Sequence, residues 1–104
     1  MTMSVVMSMR WPGITPELYE AARAEVGWEE RAPDGGYLHV AWFDADGLRV
    51  TDVWASPEHF QRFGEERLLP VVKGKLGVTS EPVVTFTPLH RRFVAPGISG
   101  AASS

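Results

Sequence analysis

His39 and Asp52 are the residues whose types and spacing best suit chemistry. They lie on two apolar-rich segments, Tyr37–Phe43 (YLHVAWF) and Leu48–Trp54 (LRVTDVW), which flank Asp44-Ala45-Asp46-Gly47. Asp and Gly tolerate the backbone angles of tight turns, so the segments read as a β-hairpin. Its register opposes Phe43 to Leu48, Ala41 to Val50, His39 to Asp52 and Tyr37 to Trp54. Directly opposed side chains stand ~5 Å apart at their β-carbons. A carboxylate so close favours the imidazolium and fixes the tautomer, which suits His39 as a general base oriented by Asp52. Isolating such a pair among aromatic rings costs desolvation free energy that a purely structural site avoids. The competing reading is that the two satisfy each other, or loop backbone, at the sheet edge.

Around this pair, Tyr37, Trp54, His59, Phe60 and Phe63 are the candidate substrate-binding residues. Aromatic walls suit planar ligands, and the chain has four tryptophans. Trp54 reads as a pocket wall, Trp42 as dimer packing, and Trp11 and Trp28 as cover for the core edge. His59 falls in the first turn of a helix, where it faces either a cleft or solvent. His90, with Arg91 and Arg92, reads as a solvated segment or a dimer contact. Three separated histidines and no cysteine offer no metal spacing, so neither a metal nor a cofactor is expected. Gly35-Gly36 and Gly74-x-x-Gly77 lack the strand–turn–helix setting of a phosphate loop.

The elements that must position these residues follow from patterning. In residues 3–10, Val5, Met7 and Met9 alternate with Ser4, Val6 and Ser8, a half-buried strand that Trp11-Pro12-Gly13 stops. Thr15-Pro16-Glu17 opens a helix with an N-cap hydroxyl, a proline and an acid at the positive dipole end. Leu18, Ala21, Ala22 and Val26 form its buried stripe, and Gly27 ends it. Trp28–Gly36 is a loop. Ser56-Pro57-Glu58 repeats the cap, with Phe60, Phe63 and Leu68 on the second helix's stripe. Pro70 is expected to interrupt that helix, leaving an irregular turn over Val71–Leu76. Pro82–Thr87 (PVVTFT) is the last strand. The order β-α-β-β-α-β is the ferredoxin-like α+β arrangement: a four-stranded antiparallel sheet with both helices on one face. It occupies residues 1–94, and 95–104 (APGISGAASS) form a flexible tail.

Composition narrows the setting. The 104 residues carry ten Lys+Arg against thirteen Asp+Glu and are 44% hydrophobic, enough for one domain with a core and not for disorder. The dispersed basic residues make no nucleic-acid footprint. No apolar run nears the ~20 residues of a membrane span. MTMSVVMSMR does not read as a signal peptide, so a cytoplasmic protein is expected. Both faces of the hairpin are apolar. The face opposite His39 holds Leu38, Val40, Trp42 and Val53, a patch large enough to mark an interface, so a homodimer packed sheet to sheet is expected. A slipped register, which flips every side chain of one strand, is the alternative.

The segment Asp52-Val53-Trp54-Ala55-Ser56-Pro57-Glu58-His59-Phe60 resembles one in the dimeric α/β-barrel superfamily. Over about residues 3–93, the chain is similar to its small single-domain members grouped with the antibiotic-biosynthesis monooxygenases. The resemblance implies a strand ending in an acid-x-aromatic step that turns through a small cap into the second helix. It also implies cofactor-independent oxygenases of phenolic polyketide-type substrates, haem-degrading monooxygenases or cyclases. Trp54 matches the haem-degrading branch, but Phe63 stands where that branch has a helical His, and SVVMSMR lacks its Asn. Many oxygenase-like members keep the same His.

Two functions follow. One is a cofactor-independent monooxygenase or cyclase acting on hydrophobic aromatic or polyketide-like small molecules, with His39 abstracting a phenolic or α-carbon proton. The other is a non-catalytic dimer, a small-ligand-binding or stress-related accessory protein. A cavity of ~300 Å³ holding His39 and Asp52 favours the first, and a filled interior favours the second. On this reading Tyr37, His39, Asp52 and Trp54 lie on the helix-packed side and line a cavity with Phe60 and Phe63.

Overall fold

The computed structural model describes residues 4–102. Met3 of the expected first strand, and Ser103 and Ser104 of the expected tail, lie outside the described residues. The elements are β1 (Val5–Pro12), α1 (Pro16–Val26), β2 (Gly36–Phe43), β3 (Gly47–Trp54), α2 (Pro57–Phe63) and β4 (Val83–Pro88). The sheet is antiparallel in the order β2-β3-β1-β4, the expected ferredoxin-like topology.

Alternation along β1 buries Val5, Met7, Met9 and Trp11 and turns Ser8 and Arg10 outward. With Leu48, Val50 and Trp54 of β3 these form the core, against which Leu18, Tyr19 and Ala22 of α1 and Phe60 and Phe63 of α2 pack. Both helices therefore cover one sheet face. The start of α1 is set by Thr15, whose hydroxyl accepts from Leu18 N–H at 3.1 Å. Its end is set by Gly27 at φ 69°, a left-handed conformation that glycine adopts without a Cβ penalty. The open face carries Leu38, Val40, Trp42 and Val83, all exposed in the single chain.

Three local expectations are corrected. First, β1 does not stop at Trp11-Pro12 but includes both, with Trp11 opposite Leu48 and Pro12 opposite Gly47. The pairing with β4 ends at Arg10, so Pro12 removes no donor from that ladder. Trp11 is accordingly core rather than core edge, and its indole donates to the Ser80 carbonyl at 3.0 Å. Second, Pro70 does not interrupt the chain's helical path. Residues Gly64–Leu68 and Pro70–Lys75 continue α2 as two wider π-helical turns, and Pro70 opens the second, where its missing N–H is not needed.

The third correction concerns the hairpin. Leu38–Phe43 keep the predicted register, but Gly36 rather than Tyr37 opposes Trp54. Tyr37 is the extra residue of a β-bulge, 55% exposed, with the Arg92 guanidinium 5.9 Å from its ring centre. A Cβ on Gly36 would stand 3.0 Å from the Pro33 ring and 3.3 Å from the Trp54 ring, so the position opposite Trp54 is crowded and suits glycine.

Candidate active site

His39 and Asp52 meet as opposed residues of β2 and β3, on the helix-covered face. His39 Nδ1 lies 2.8 Å from Asp52 Oδ1, and the Trp54 indole N–H donates to Asp52 Oδ2 at 3.0 Å. The Asp52 side chain is only 7% exposed, whereas that of His39 is 35% exposed. A carboxylate can only accept here, so Nδ1 carries the proton and Nε2 is left as acceptor. The Tyr19 hydroxyl fills that position at 2.7 Å. The result is a continuous chain, Tyr19–His39–Asp52–Trp54, running from α1 across the sheet.

Tyr19 is absent from the candidates read from sequence. The signal was present: positions 19, 22 and 26 share one helix stripe, and Ala22 and Val26 were already assigned to the buried face. Its ring stacks almost parallel to His39, 6.1 Å away, and meets Phe43 edge-on at 6.0 Å. Trp28 packs edge-on against both Tyr19 and His39, each at 5.6 Å. The Trp28 indole N–H is buried and finds no partner among the described residues. Burial, with Glu29 and Glu20 alongside, pushes the Tyr19 phenol up to about 12, so it rests protonated.

The remaining candidates separate into packing and periphery. Trp54 contacts Phe60 at 5.4 Å and Phe63 at 5.6 Å between ring centres, and Phe60 meets Phe86 at 5.9 Å. These rings fill the space beneath α2 instead of lining a cavity. His59 faces the loop before β2. Its Nδ1 lies 2.6 Å from the Ser56 hydroxyl, and its Nε2 lies 3.8 Å from Asp34. Tyr37 leaves the site through the bulge. A cleft of about 250 Å³ opens between the hairpin turn and the start of α1, lined by Ile14, Pro16, Phe43 and Asp44 among others. A second, of about 60 Å³, lies beside His59, Arg62 and Phe63. Neither includes His39 or Asp52. Among the described residues, no three His, Cys, Asp or Glu side chains converge to hold a metal ion.

The fold is shared with solved structures of antibiotic-biosynthesis-monooxygenase-like proteins, the fold that the resemblance implied. The chain is similar to SnoaB, a cofactor-independent oxygenase from Streptomyces nogalater, with 20% identity, TM-score 0.55, and coverage of 90% of this chain and 98% of that one. It is similar to a monooxygenase from Streptomyces coelicolor in complex with nanaomycin D, with 13% identity, TM-score 0.53 and coverage of 90% and 93%. It is also similar to a conserved Bacteroides thetaiotaomicron protein of unknown function and possible oxidoreductase, with 9% identity, TM-score 0.60 and coverage of 86% and 100%. At these identities the likeness establishes the fold. No family model and no curated protein sequence matches the chain. Among the described residues, no helix is long and apolar enough to cross a membrane.

Proposed function

We propose that the protein is a small-molecule enzyme of the cofactor-independent monooxygenase or cyclase kind, acting on hydrophobic aromatic or polyketide-like compounds. The observation that carries this reading is the buried Asp52 carboxylate, held between His39 Nδ1 and the Trp54 indole N–H. A packed core has no need of that arrangement, since burying a carboxylate is costly unless its charge is used. The relay removes a proton from a phenol or from a carbon next to a carbonyl. The resulting anion closes a ring, or reacts with dioxygen so that a methylene becomes a carbonyl and the second oxygen leaves as water. The cofactor-independent oxygenase and the monooxygenase among the structural neighbours support the class.

A homodimer completes this reading. Leu38, Val40, Trp42 and Val83 form an exposed apolar face that a second copy covers sheet to sheet. A second reading, a non-catalytic ligand-binding or accessory dimer, is favoured by the filled space between Trp54, Phe60 and Phe63. Aerobic conversion of a hydroxyanthrone to its quinone, followed by absorbance, separates the two. The enzyme reading expects acceleration over buffer, reduced roughly 10²–10⁴-fold in His39→Gln. Binding of the compound without acceleration overturns it in favour of the accessory protein.

A further inference from the structure

Resting on that proton-abstraction reading, we infer that Tyr19, rather than His39, meets the substrate. Its hydroxyl takes the substrate proton while passing its own to His39, beside the rings of Trp28 and Phe43. The argument is one of valence. Asp52 accepts at both oxygens, so His39 Nδ1 must donate, and a neutral imidazole then has a single lone pair, on Nε2. The Tyr19 hydroxyl already occupies that lone pair at 2.7 Å. A substrate proton cannot reach His39 without displacing Tyr19. The phenolic oxygen keeps lone pairs of its own, directed away from the imidazole, and these are the open end of the chain.

The step balances. The bond from the substrate's acidic carbon or oxygen to hydrogen breaks, leaving its electron pair as the substrate anion. That proton bonds to Tyr19 Oη as the phenol's original proton moves to His39 Nε2. Tyr19 ends neutral and His39 ends as imidazolium beside the Asp52 carboxylate. Once the product has left, His39 Nε2 returns its proton to Tyr19 as the phenol releases its own to water, which resets the chain. Burial, with Glu29 and Glu20 alongside, disfavours a standing tyrosinate, so Tyr19 works as a bridge and not as a stored base.

The same region supplies a ligand surface. Trp54, Phe60 and Phe63 are occupied with one another, whereas Tyr19, Trp28 and Phe43 surround the open end of the relay. Phe43, whose ring meets Tyr19 edge-on at 6.0 Å, also lines the cleft of about 250 Å³ between the hairpin turn and α1. A flat aromatic compound with a carbonyl or phenol oxygen beside its acidic hydrogen fits these features.

The test follows the proton alone. The acidic methylene of a hydroxyanthrone exchanges its hydrogens in deuterated water, and NMR under anaerobic conditions reads the rate without the oxygen step. Wild type is expected to accelerate exchange, and Tyr19→Phe to lose roughly 10²–10⁴-fold, as much as His39→Gln. Nitrogen NMR of the Tyr19→Phe imidazole is expected to show Nε2 released from its hydrogen bond while Nδ1 stays protonated. If His39→Gln abolishes exchange while Tyr19→Phe keeps or exceeds the wild-type rate, His39 meets the substrate and the inference fails while the proposed function stands. If neither substitution changes the rate, both fail.

Discussion

Replacing Asp52 by Asn should leave the fold nearly intact and reverse the hydrogen-bond chain. Asp52 accepts from two donors, Trp54 Nε1 at 3.0 Å and His39 Nδ1 at 2.8 Å. An amide can accept only one of them. The Trp54 indole is buried and has no second tautomer, so it keeps the amide oxygen. The amide NH₂ then faces His39 Nδ1, which must give up its hydrogen, leaving the neutral imidazole protonated at Nε2 and donating to Tyr19. Every group remains satisfied, so little stability is lost. Two charge-assisted bonds weaken by about half, roughly 1–3 kcal/mol together, offset by the relief of burying no charge. The net loss should be about 0–2 kcal/mol, a fall in melting temperature of at most ~16 °C at about 4–8 °C per kcal/mol for a domain of this size. Catalysis is expected to fall far more, since a wrong-tautomer imidazole costs roughly 10⁴-fold in hydrolytic triads. Nitrogen NMR reads the tautomer, thermal unfolding the stability, and methylene exchange the rate. An Asp52→Asn protein with the hydrogen still on Nδ1 and exchange at the wild-type rate refutes the directional argument.

Trp42→Lys should convert the proposed dimer into a folded species of 11.5 kDa by light scattering at micromolar concentration, because an unpaired ammonium in a dry seam costs several kcal/mol. Arg67 Nη2 donates to the Val26 carbonyl at 3.1 Å and the Arg31 carbonyl at 2.8 Å, tying down the end of α1 and the loop after it. Arg67→Met should therefore lower the unfolding free energy by about 2 kcal/mol in urea, as charged hydrogen bonds are worth ~1.5–3 kcal/mol each and these are partly solvated. In Tyr37→Phe, Tyr19 is the remaining one of the two tyrosines, and its phenolate absorbance should rise only near pH 12, where Tyr19 is pushed by burial and nearby Glu29 and Glu20. The unfolded phenol ionises near pH 10, so the native state holds its proton longer. Its contribution is complete below about pH 10 and lost toward pH 12, and a Tyr19→Phe protein should lack this alkaline loss.

Most of the scaffold was legible because its signals are local. Alternation in β1, the two hydroxyl–proline–acid caps and the Asp44–Gly47 turn each act over a few residues, and the turn alone placed His39 against Asp52. What escaped depends on volume or on distant packing. Nothing local to Tyr37 announces that the Pro33 and Trp54 rings crowd the space above Gly36, where the ladder shifts by one residue. Pro70 reads as a break in any α-helix, but the widened turns around it change which donors are required. Tyr19 was hidden for another reason. A tyrosine next to an apolar stripe counts as ordinary amphipathic cover until the sheet beneath it is known to present an imidazole. Trp28, assigned to a loop and the core edge, became a neighbour of the site because Gly27 folds the chain back over α1.

The bulge at Tyr37 also acts as a slip joint between the loop and the strand. Residues from Leu38 onward keep step with β3, while the chain before Gly36 is offset from them by one position. A one-residue change in an uninterrupted strand turns every following side chain to the opposite face. Here the unpaired position takes up such a change before it reaches His39. A change in the length of the loop Trp28–Gly36 would thus reshape the surroundings of Trp28 while His39 continues to face Asp52.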